Sequence, residues 1–284
     1  MRYPAAWATD SVAREGDPSY RFFAPPGDRS QATPTSVSLL VEAAAGSLDD
    51  YAQPFLEGAN VTTREDVERQ GLKGRRYRYE RGAAHYVLLL LPGKGVAHGL
   101  FVQGDEAGLQ KHQRALDEMV SSFTVERPST YAVHRDERFG FALRIPPGWT
   151  QGRKLSSTAA GMAMVQFLSP ALGVDRDGST VHASLTVSAE PLVGGSLQGF
   201  YDATRRKLGD AYKVNRHAEW RGGYLDLETI ETPMAISDAK RFYWASKDRG
   251  YTLVFEGRED VFHRVSAWCD LIASTFEVLP AGRP

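Results

Sequence analysis

The chain has 284 residues, of which 42% are hydrophobic, and a formal net charge of −1 from 34 basic and 35 acidic side chains. This composition is typical of a soluble globular protein, and the length allows one large domain or two of ordinary size. The balanced charge excludes the broad attraction that general nucleic-acid and anionic-membrane binders use, but it leaves local patches open. Cys269 is the only cysteine, so the chain forms no intrachain disulfide and no cysteine-based zinc site.

Two features of the sequence bear on the compartment. The longest apolar run, Tyr86 to Leu91, is too short to span a bilayer. The N-terminus, Met1 to Pro4, carries no apolar signal core and no lipidation cysteine. As written, the chain is therefore expected to be cytoplasmic and to have no membrane span. The alternative is a periplasmic or cell-envelope accessory protein, or a lipoprotein, whose signal segment is missing from this chain.

The chain repeats itself. Six short segments of the first half match segments of the second half in the same order, at offsets between 142 and 153 residues. Three of these matches are Arg2–Trp7 with Arg144–Trp149, Gly74 and Glu80 with Gly222 and Glu228, and Ser122–Val125 with Thr275–Val278. The offset drifts only where loops would absorb insertions, which indicates a tandem duplication.

A linker and a strand pattern set the predicted boundaries of the repeats. Residues 126–130 are polar and contain a proline, as is typical of a linker. The first repeat is therefore predicted at 1–126 and the second at 130–280. The second repeat opens with a predicted strand over Tyr131 to Leu143, in which large apolar residues alternate with smaller ones. The first repeat has no counterpart, and we expect it to lack this N-terminal strand.

Within each copy, one order of elements is predicted. A strand leads to a Pro-x-x-Trp turn, then come a two-strand stretch, a helix, three strands and a single closing helix. Ser47 and Ser196 are predicted helix caps, and Glu106 and Glu259 are predicted to open the closing helices, where a carboxylate stabilises the helix dipole. The three strands of the second copy are predicted at Tyr224–Ile230, Arg241–Ala245 and Tyr251–Phe255. The sequence therefore predicts an α+β fold, with two antiparallel sheets packed with helices.

No common catalytic pattern is found in the sequence. Ser196 lacks the spacing of a nucleophile elbow, and the segment from Gly93 to Gly95 is predicted to be a hairpin turn rather than a phosphate loop. The seven histidines are scattered, with no pair spaced to bind a metal from one helix. His112 and Cys269 lie on apolar helix stripes and are predicted packing residues. The sequence thus predicts a non-enzymatic protein with no cofactor and no metal, and an enzyme with an unfamiliar site is the less favoured hypothesis.

One basic and aromatic segment is the candidate partner surface, consisting of Arg75, Arg76, Tyr77, Arg78 and Tyr79. Interleaved basic and aromatic residues can bind nucleic acid. However, the arginines at 76 and 78 have the opposite strand parity to the two tyrosines, as in any half-solvated strand. Given the balanced charge, we expect a solvated face that contacts a protein partner, and no nucleic acid.

The order of motifs resembles a known fold group. The segments that carry the resemblance are Ile145–Trp149, the helix start at Ser196, Gly222–Tyr224, Tyr251–Phe255 and Ser274–Phe276. Together they resemble the PsbP/DcrB/LpqN-like fold group, over nearly all of the second copy and most of the first.

Members of this fold group are non-catalytic. They include photosystem accessory subunits, bacterial envelope lipoproteins, a Ran-binding import factor and cytoplasmic chaperones of type VI secretion effectors, in which two domains cradle apolar helices of a client. The duplication, the balanced charge and the absence of a catalytic set lead to the hypothesis of a protein-binding adaptor or chaperone that acts through the surface between its two domains. The resemblance implies no particular binding residues and does not identify the protein partner.

Overall fold

The computed structural model describes residues 4–10, 20–24, 33–44, 46–125, 131–157, 161–175, 178–232 and 235–279. The chain divides into two compact units, Met1–Arg127 and Pro128–Pro284. Each unit contains a seven-stranded sheet with helices, so the predicted α+β class is confirmed. The predicted linker, and with it the limits at 126 and 130, lies outside the described residues, and so does Arg2. The assignment of two repeats therefore stays a prediction.

The first unit is a sheet with a helix layer on each face. Its strands are β1 (Ala8–Asp10), β2 (Tyr20–Phe23), β3 (Ser36–Ala43), β4 (Asn60–Arg69), β5 (Leu72–Arg81), β6 (Ala84–Pro92) and β7 (Val96–Gly104), and its helices are α1 (Leu48–Leu56), α2 (Glu106–Lys111) and α3 (Gln113–Ser122). The strand order is β1-β2-β3-β7-β6-β5-β4, with all neighbours antiparallel. Alternate residues of β6 point to opposite faces. Leu88 and Leu90 pack in the core beneath α1, whereas Leu89 and Leu91 pack with α3.

The second unit has the same strand order in its large sheet and carries a small additional sheet. Its strands are β8 (Ala132–Asp136), β9 (Phe141–Ile145), β10 (Thr150–Ser157), β11 (Met162–Leu168), β12 (Gly173–Val174), β13 (Thr180–Val181), β14 (Ser184–Pro191), β15 (Tyr212–Trp220), β16 (Gly223–Glu231), β17 (Ile236–Ala245), β18 (Arg249–Arg258) and β19 (Glu277–Val278), and its helices are α4 (Leu197–Leu208) and α5 (Glu259–Ser274). The large sheet runs β10-β11-β14-β18-β17-β16-β15, and the small one runs β19-β9-β8. Helix α5 and the small sheet cover one face of the large sheet, where the ring of Phe276 stacks on Trp244 with centroids 4.5 Å apart.

The local signals at the helix starts are confirmed. Ser47 and Asp50 form a reciprocal capping box, and the Ser196 hydroxyl accepts a hydrogen bond from the Gly199 amide at 3.0 Å. Helices α2 and α5 begin at Glu106 and Glu259, as predicted. These cues depend on neighbouring residues only, which is why the sequence shows them.

Four element predictions were wrong. More than two strands lie between the Pro-x-x-Trp turn and the following helix, namely β1 to β3 in the first unit and β10 to β14 in the second. Four strands, not three, follow α1 and α4, because the edge strands β4 and β15 were not predicted. Each contains a β-bulge, between Val61 and Thr63 in β4 and between Val214 and Arg216 in β15, which interrupts the alternation that marks a strand. The predicted strand over residues 131–143 is the hairpin of β8 and β9, since the carbonyl of Asp136 accepts from the Gly140 amide at 2.9 Å and closes a turn.

The last wrong prediction is the single closing helix of the first copy. This segment is divided into α2 and α3 at His112, whose φ of −102° and ψ of 7° fall outside the helical region. The ring of Trp7 meets the imidazole edge-on, with centroids 5.7 Å apart. His112 is therefore a packing residue, although it also separates two helices.

The turns before β5 and β16 show which residues are equivalent in the two sheets. Gln70 and Gly71 have φ values of 51° and 74°, and Arg221 and Gly222 have 50° and 71°, as two-residue hairpin turns require. These turns are 151 residues apart, whereas the sequence match of Glu80 with Glu228 used an offset of 148. Glu228 consequently occupies the sheet position of a tyrosine, Tyr77, and not that of Glu80.

Candidate functional site

The large sheet of the second unit has an unusually polar face beneath α4. Asp226 and Glu228 on β16 are fully buried, and Arg241 on the neighbouring strand is 6% exposed. Together with Tyr201, Arg205, His217 and Tyr243 they form a group that we call the anchor cluster. Buried charges in a protein interior are stable only when paired and hydrogen-bonded, so the partners of each carboxylate decide what this cluster does.

Asp226 is surrounded by three hydrogen-bonding side chains. Nδ1 of His217 lies 2.6 Å from its Oδ1, the Tyr243 hydroxyl donates to Oδ2 at 3.3 Å, and the Tyr201 hydroxyl donates to Oδ1 at 3.5 Å. Burial, with the charge of Asp226 adding to it, raises the pKa of Tyr201 to about 12. Burial also raises the pKa of Tyr243. Both phenols therefore stay protonated at neutral pH and remain donors to the carboxylate.

Glu228 lies between two guanidinium groups. Nε of Arg241 is 3.2 Å and 3.1 Å from the two carboxylate oxygens, and Nη2 is 3.0 Å from Oε2. Nη1 of Arg205, on α4, contacts Oε1, and its Nη2 donates to the Tyr212 carbonyl at 2.6 Å. Arg205 thereby ties the helix to both β16 and β15. The arrangement fixes the position of α4 and leaves the buried carboxylate of Glu228 without vacant acceptor positions facing solvent.

The sequence did not predict the anchor cluster. Asp226 and Glu228 alternate with Leu225 and Leu227, a pattern that is typical of a strand with one buried and one solvated face. This pattern by itself does not show that the charged face is buried. The sequence did contain one signal for these ion pairs. Two acidic residues on one strand and Arg241 on the next strand can pair across the sheet, which favours an ion-paired network over a solvated surface.

An open cavity of about 580 Å³ adjoins the cluster at the end of α4. Its charged lining consists of Arg205, Arg206, Asp210, Lys213 and Glu231. The charges of its three basic and two acidic side chains nearly balance, so the cavity favours no single class of charged ligand.

The other half of the same sheet face exposes apolar side chains, and we call it the open face. By strand register it includes the apolar residues Leu155, Met162, Met164 and Leu168, the polar residues Gln166, Ser184, Thr186 and Ser188, and the charged residue Glu256. Leu155 on β10 lies directly opposite Met164 on β11, and Met162 is the next residue of β11 on that face. Leu155 is 57% exposed and Met162 is 44% exposed. These three side chains form one contiguous apolar strip rather than scattered single residues.

Glu256, on β18, is the charged member of the open face. The antiparallel register places it across Ala239 from Glu228, on the same face of the sheet. Burial raises its pKa; Arg241 opposes this effect and the charge of Glu228 adds to it. Within the part of the chain that the structure describes, its carboxylate forms no hydrogen bond and no ion pair. Glu256 thus differs from Glu228, which has two arginine partners.

The candidate partner surface predicted from the sequence lies on β5 of the first unit, and the structure divides it between two faces. Tyr77 and Tyr79 are 1% and 3% exposed and point toward α1. The hydroxyl of Tyr77 donates to Asp49 on α1, and burial together with this carboxylate raises the pKa of Tyr77 to about 12. Side chains this deeply buried are not available to a partner. Arg75, on the same face, places its Nε 3.4 Å from Asp49.

The remaining arginines of that segment point to the opposite face. Nε of Arg76 donates to Glu65 at 2.7 Å, and Arg78 is exposed. The basic segment is therefore largely neutralised by acidic residues of β4 and α1, which weakens the electrostatic reason to expect nucleic acid there. A role of these arginines in protein binding stays a prediction.

The histidines and the cysteine whose side chains the structure describes do not gather into a site. Among the described residues, no group of three or more His, Cys, Asp or Glu side chains could hold a metal ion. Cys269 is fully buried and burial raises the pKa of its thiol, so it packs as a small apolar residue. His98 is buried in the first unit, and burial lowers its pKa to about 4. The side chain of His263 lies outside the described residues.

Among the helices that the structure describes, none combines the length and the apolar character needed to cross a bilayer.

No family model matches the sequence, and no curated protein matches it. Among solved structures, a cyanobacterial PsbP from Synechocystis sp. PCC 6803 is 16% identical, with 55% of this chain and 97% of that protein covered and a TM-score of 0.39. A Pseudomonas aeruginosa protein of unknown function is 16% identical over 45% of this chain and 91% of its own, with a TM-score of 0.32. The immunity protein TplEi of T6SS from Pseudomonas aeruginosa is 10% identical over 98% of this chain and 99% of its own, with a TM-score of 0.29.

These similarities concern the fold and leave the function open. The chain is similar to members of the PsbP-like fold group, which its motifs resemble, at low TM-scores. The DcrB-like part of that resemblance and the tandem duplication stay predictions.

Proposed function

We propose that this chain is a non-enzymatic protein-binding adaptor or chaperone, and that the open face of the second unit is where its client docks. The observation that carries the proposal is the contiguous strip of Leu155, Met162 and Met164, which lies on a sheet whose other face is largely covered by α5 and the small sheet. A contiguous apolar strip on a rigid support is typical of an interaction surface, and methionines adapt to partners of different shape.

The anchor cluster supports a binding role over a catalytic one. Its two carboxylates are saturated by donors from the same unit, and its most exposed member is His217, with 42% of its side chain accessible against 20% for Arg205. The open cavity lies at the other end of α4, beside Arg206 and Lys213, rather than over this imidazole. The cluster therefore holds α4 in place. Its one imidazole, the group that could act as a general acid or base, does not face the cavity.

The sequence-based hypothesis placed the client on the surface between the two repeats, in the cytoplasm. That location and that compartment stay predictions, with the periplasmic or envelope alternative open. Upstream genomic sequence that encodes an in-frame signal segment would favour the alternative.

The test is affinity capture from the source organism with the full chain, followed by mass spectrometry. Met162→Asp places a charge in the apolar strip and is expected to abolish recovery of a stoichiometric client. The matched control is Ile236→Asp, since Ile236 is an equally exposed apolar residue of the same unit, at 49%, whose strand parity puts it on the opposite sheet face. Recovery of the same client with both variants would contradict the proposed surface.

A further inference from the structure

We infer that the client segment on the open face is an amphipathic helix whose apolar side covers the strip and which brings one Lys or Arg to Glu256. This inference rests on the proposed function and specifies the chemistry of the partner. It starts from the way in which the chain covers the other half of the same sheet face.

Helix α4 shows what this sheet face accepts. It is amphipathic, and Phe200 on its buried side lies so close to β18 that a Cβ on Gly250 would be 2.3 Å from the phenyl ring. One and a half turns later, Arg205 reaches down to the carboxylate of Glu228. An apolar contact followed by a basic side chain on a sheet carboxylate is therefore the arrangement already present on this face.

The open face presents the same two features, an apolar contact surface and a carboxylate, and no helix in the described part of the second unit covers it. The apolar strip takes the place of the Phe200 contact, and Glu256 takes the place of Glu228, from which it is separated by the single intervening residue Ala239. A half-buried carboxylate that lacks a cation is less stable than a paired one, since desolvation disfavours its charged form. A partner cation would restore to Glu256 the pairing that Arg205 and Arg241 give to Glu228.

The register fixes the spacing that such a helix must have. Met164 and Leu168 are four residues apart on β11, and Leu168 is aligned with Glu256 through Ser184. Four residues along a strand and two strands across give about 16 Å from Met164 to Glu256. At a rise of about 1.5 Å per residue, this distance corresponds to roughly eleven residues, or three helical turns. The basic residue should therefore lie about three turns from the residue that contacts Met164.

A helix suits this surface better than an added strand. The sheet edge beside the open face is β10, which contains a bulge between Gln151 and Lys154 and exposes Arg153 and Lys154. Bulges and charges on an edge strand oppose the pairing of a further strand. The apolar contacts of the open face come instead from side chains that stand on the sheet, which a helix covers.

The test uses a displayed library of amphipathic helical peptides of about 20 residues, selected on the full chain. We expect the selected peptides to share a Lys or Arg about three turns from an apolar anchor, and to bind Glu256→Gln about tenfold or more weakly, the usual range for loss of a charged hydrogen-bond partner. Glu259→Gln, at the exposed start of α5, is the matched control and is expected to bind as the native chain does. Peptides carrying Glu in place of the basic residue should regain binding to Glu256→Lys.

Three results would overturn the inference: selected peptides without a shared basic residue, unchanged affinity for Glu256→Gln, or peptide binding that survives Met162→Asp. If the natural client still depends on Met162 while the peptides show no basic residue, the inference on Glu256 fails and the proposed function stands. If neither the client nor any peptide depends on Met162, both the inference and the proposed docking surface fail.

Discussion

His98 should make the first unit sensitive to mild acid. It lies on β7 with 4% of its surface exposed, and burial lowers its pKa from 6.5 to about 4. Above pH 6.5 the imidazole is neutral in both the folded and the unfolded chain, and it adds no pH dependence. As the pH falls below 6.5, the unfolded chain takes up a proton that the folded chain excludes, so stability is lost progressively down to about pH 4.

The size of the effect follows from the difference between the two pKa values. One pKa unit corresponds to about 1.4 kcal/mol, so the interval from 6.5 to about 4 amounts to roughly 3 kcal/mol of lost stability. His98→Leu removes the titrating group and fills the site with an apolar side chain. Between pH 7 and pH 4, we therefore expect the free energy of unfolding of the variant to fall by about 3 kcal/mol less than that of the native chain.

The assay is hydrogen exchange with mass spectrometry on peptides of β7 (Val96–Gly104), because it reports the opening of the first unit separately from the second. Exchange is followed at several pH values after correction for the intrinsic rate. His85→Gln is the control, since 36% of the His85 side chain is accessible. If the native protein and His98→Leu lose protection in parallel as the pH falls, protonation of the His98 imidazole is not the cause of the acid sensitivity, and the prediction is refuted.

Three further predictions concern stability and can be read from thermal or urea unfolding. Arg241→Met leaves Glu228 buried with one of its two guanidinium partners and should lower the free energy of unfolding by about 3–5 kcal/mol. The double variant Arg241→Met/Glu228→Leu should recover much of that stability. An unchanged stability of the single variant would contradict the anchor role. Gly250→Ala forces a methyl group into the Phe200 ring and should cost about 1–3 kcal/mol, and the additional change Phe200→Leu should reduce the cost, which a purely backbone effect would not show. Ser47→Ala removes the capping box of α1 and should cost about 1 kcal/mol, while Ser47→Thr, which keeps the hydroxyl that donates to Asp50, should retain most of the stability.

The sequence predicted well those features that depend on near neighbours in the chain. Helix caps at Ser47 and Ser196, the hairpin turn around Lys94 and the opposite orientations of Arg76 and Tyr77 all follow from local chemistry or from the two-residue period of a strand. The structure agrees with each of these. None of them required knowledge of what packs against the segment.

Features that depend on distant segments were missed. The pattern of β16 shows one apolar and one charged face, and only the position of α4 reveals that the charged face is buried. The edge strand β15 supplies His217 to that face, but its bulge and its exposed polar residues hide it from a search for alternation. For the same reason the matching of Glu80 with Glu228 was out of register, because residue types were compared where turn positions decide equivalence.

The anchors of α1 and α4 use the same chemistry with the charges reversed. In the first unit, the helix provides the carboxylate of Asp49 and the sheet provides Tyr77 and Arg75. In the second unit, the sheet provides the carboxylates and α4 provides the phenol and the guanidinium of Tyr201 and Arg205.

This reversal makes the two helices poor substitutes for each other. Over the sheet of the second unit, a helix with Asp49 at the contact would bring a third carboxylate to Asp226 and Glu228. Over the sheet of the first unit, a helix with Arg205 would meet Arg75. Like charges brought together where a helix packs on a sheet oppose that packing, most strongly over the buried Asp226 and Glu228, and exchange of elements between similar domains is a characteristic misfolding route. The opposite polarity of the anchors therefore favours the pairing of each helix with its own sheet while the chain folds.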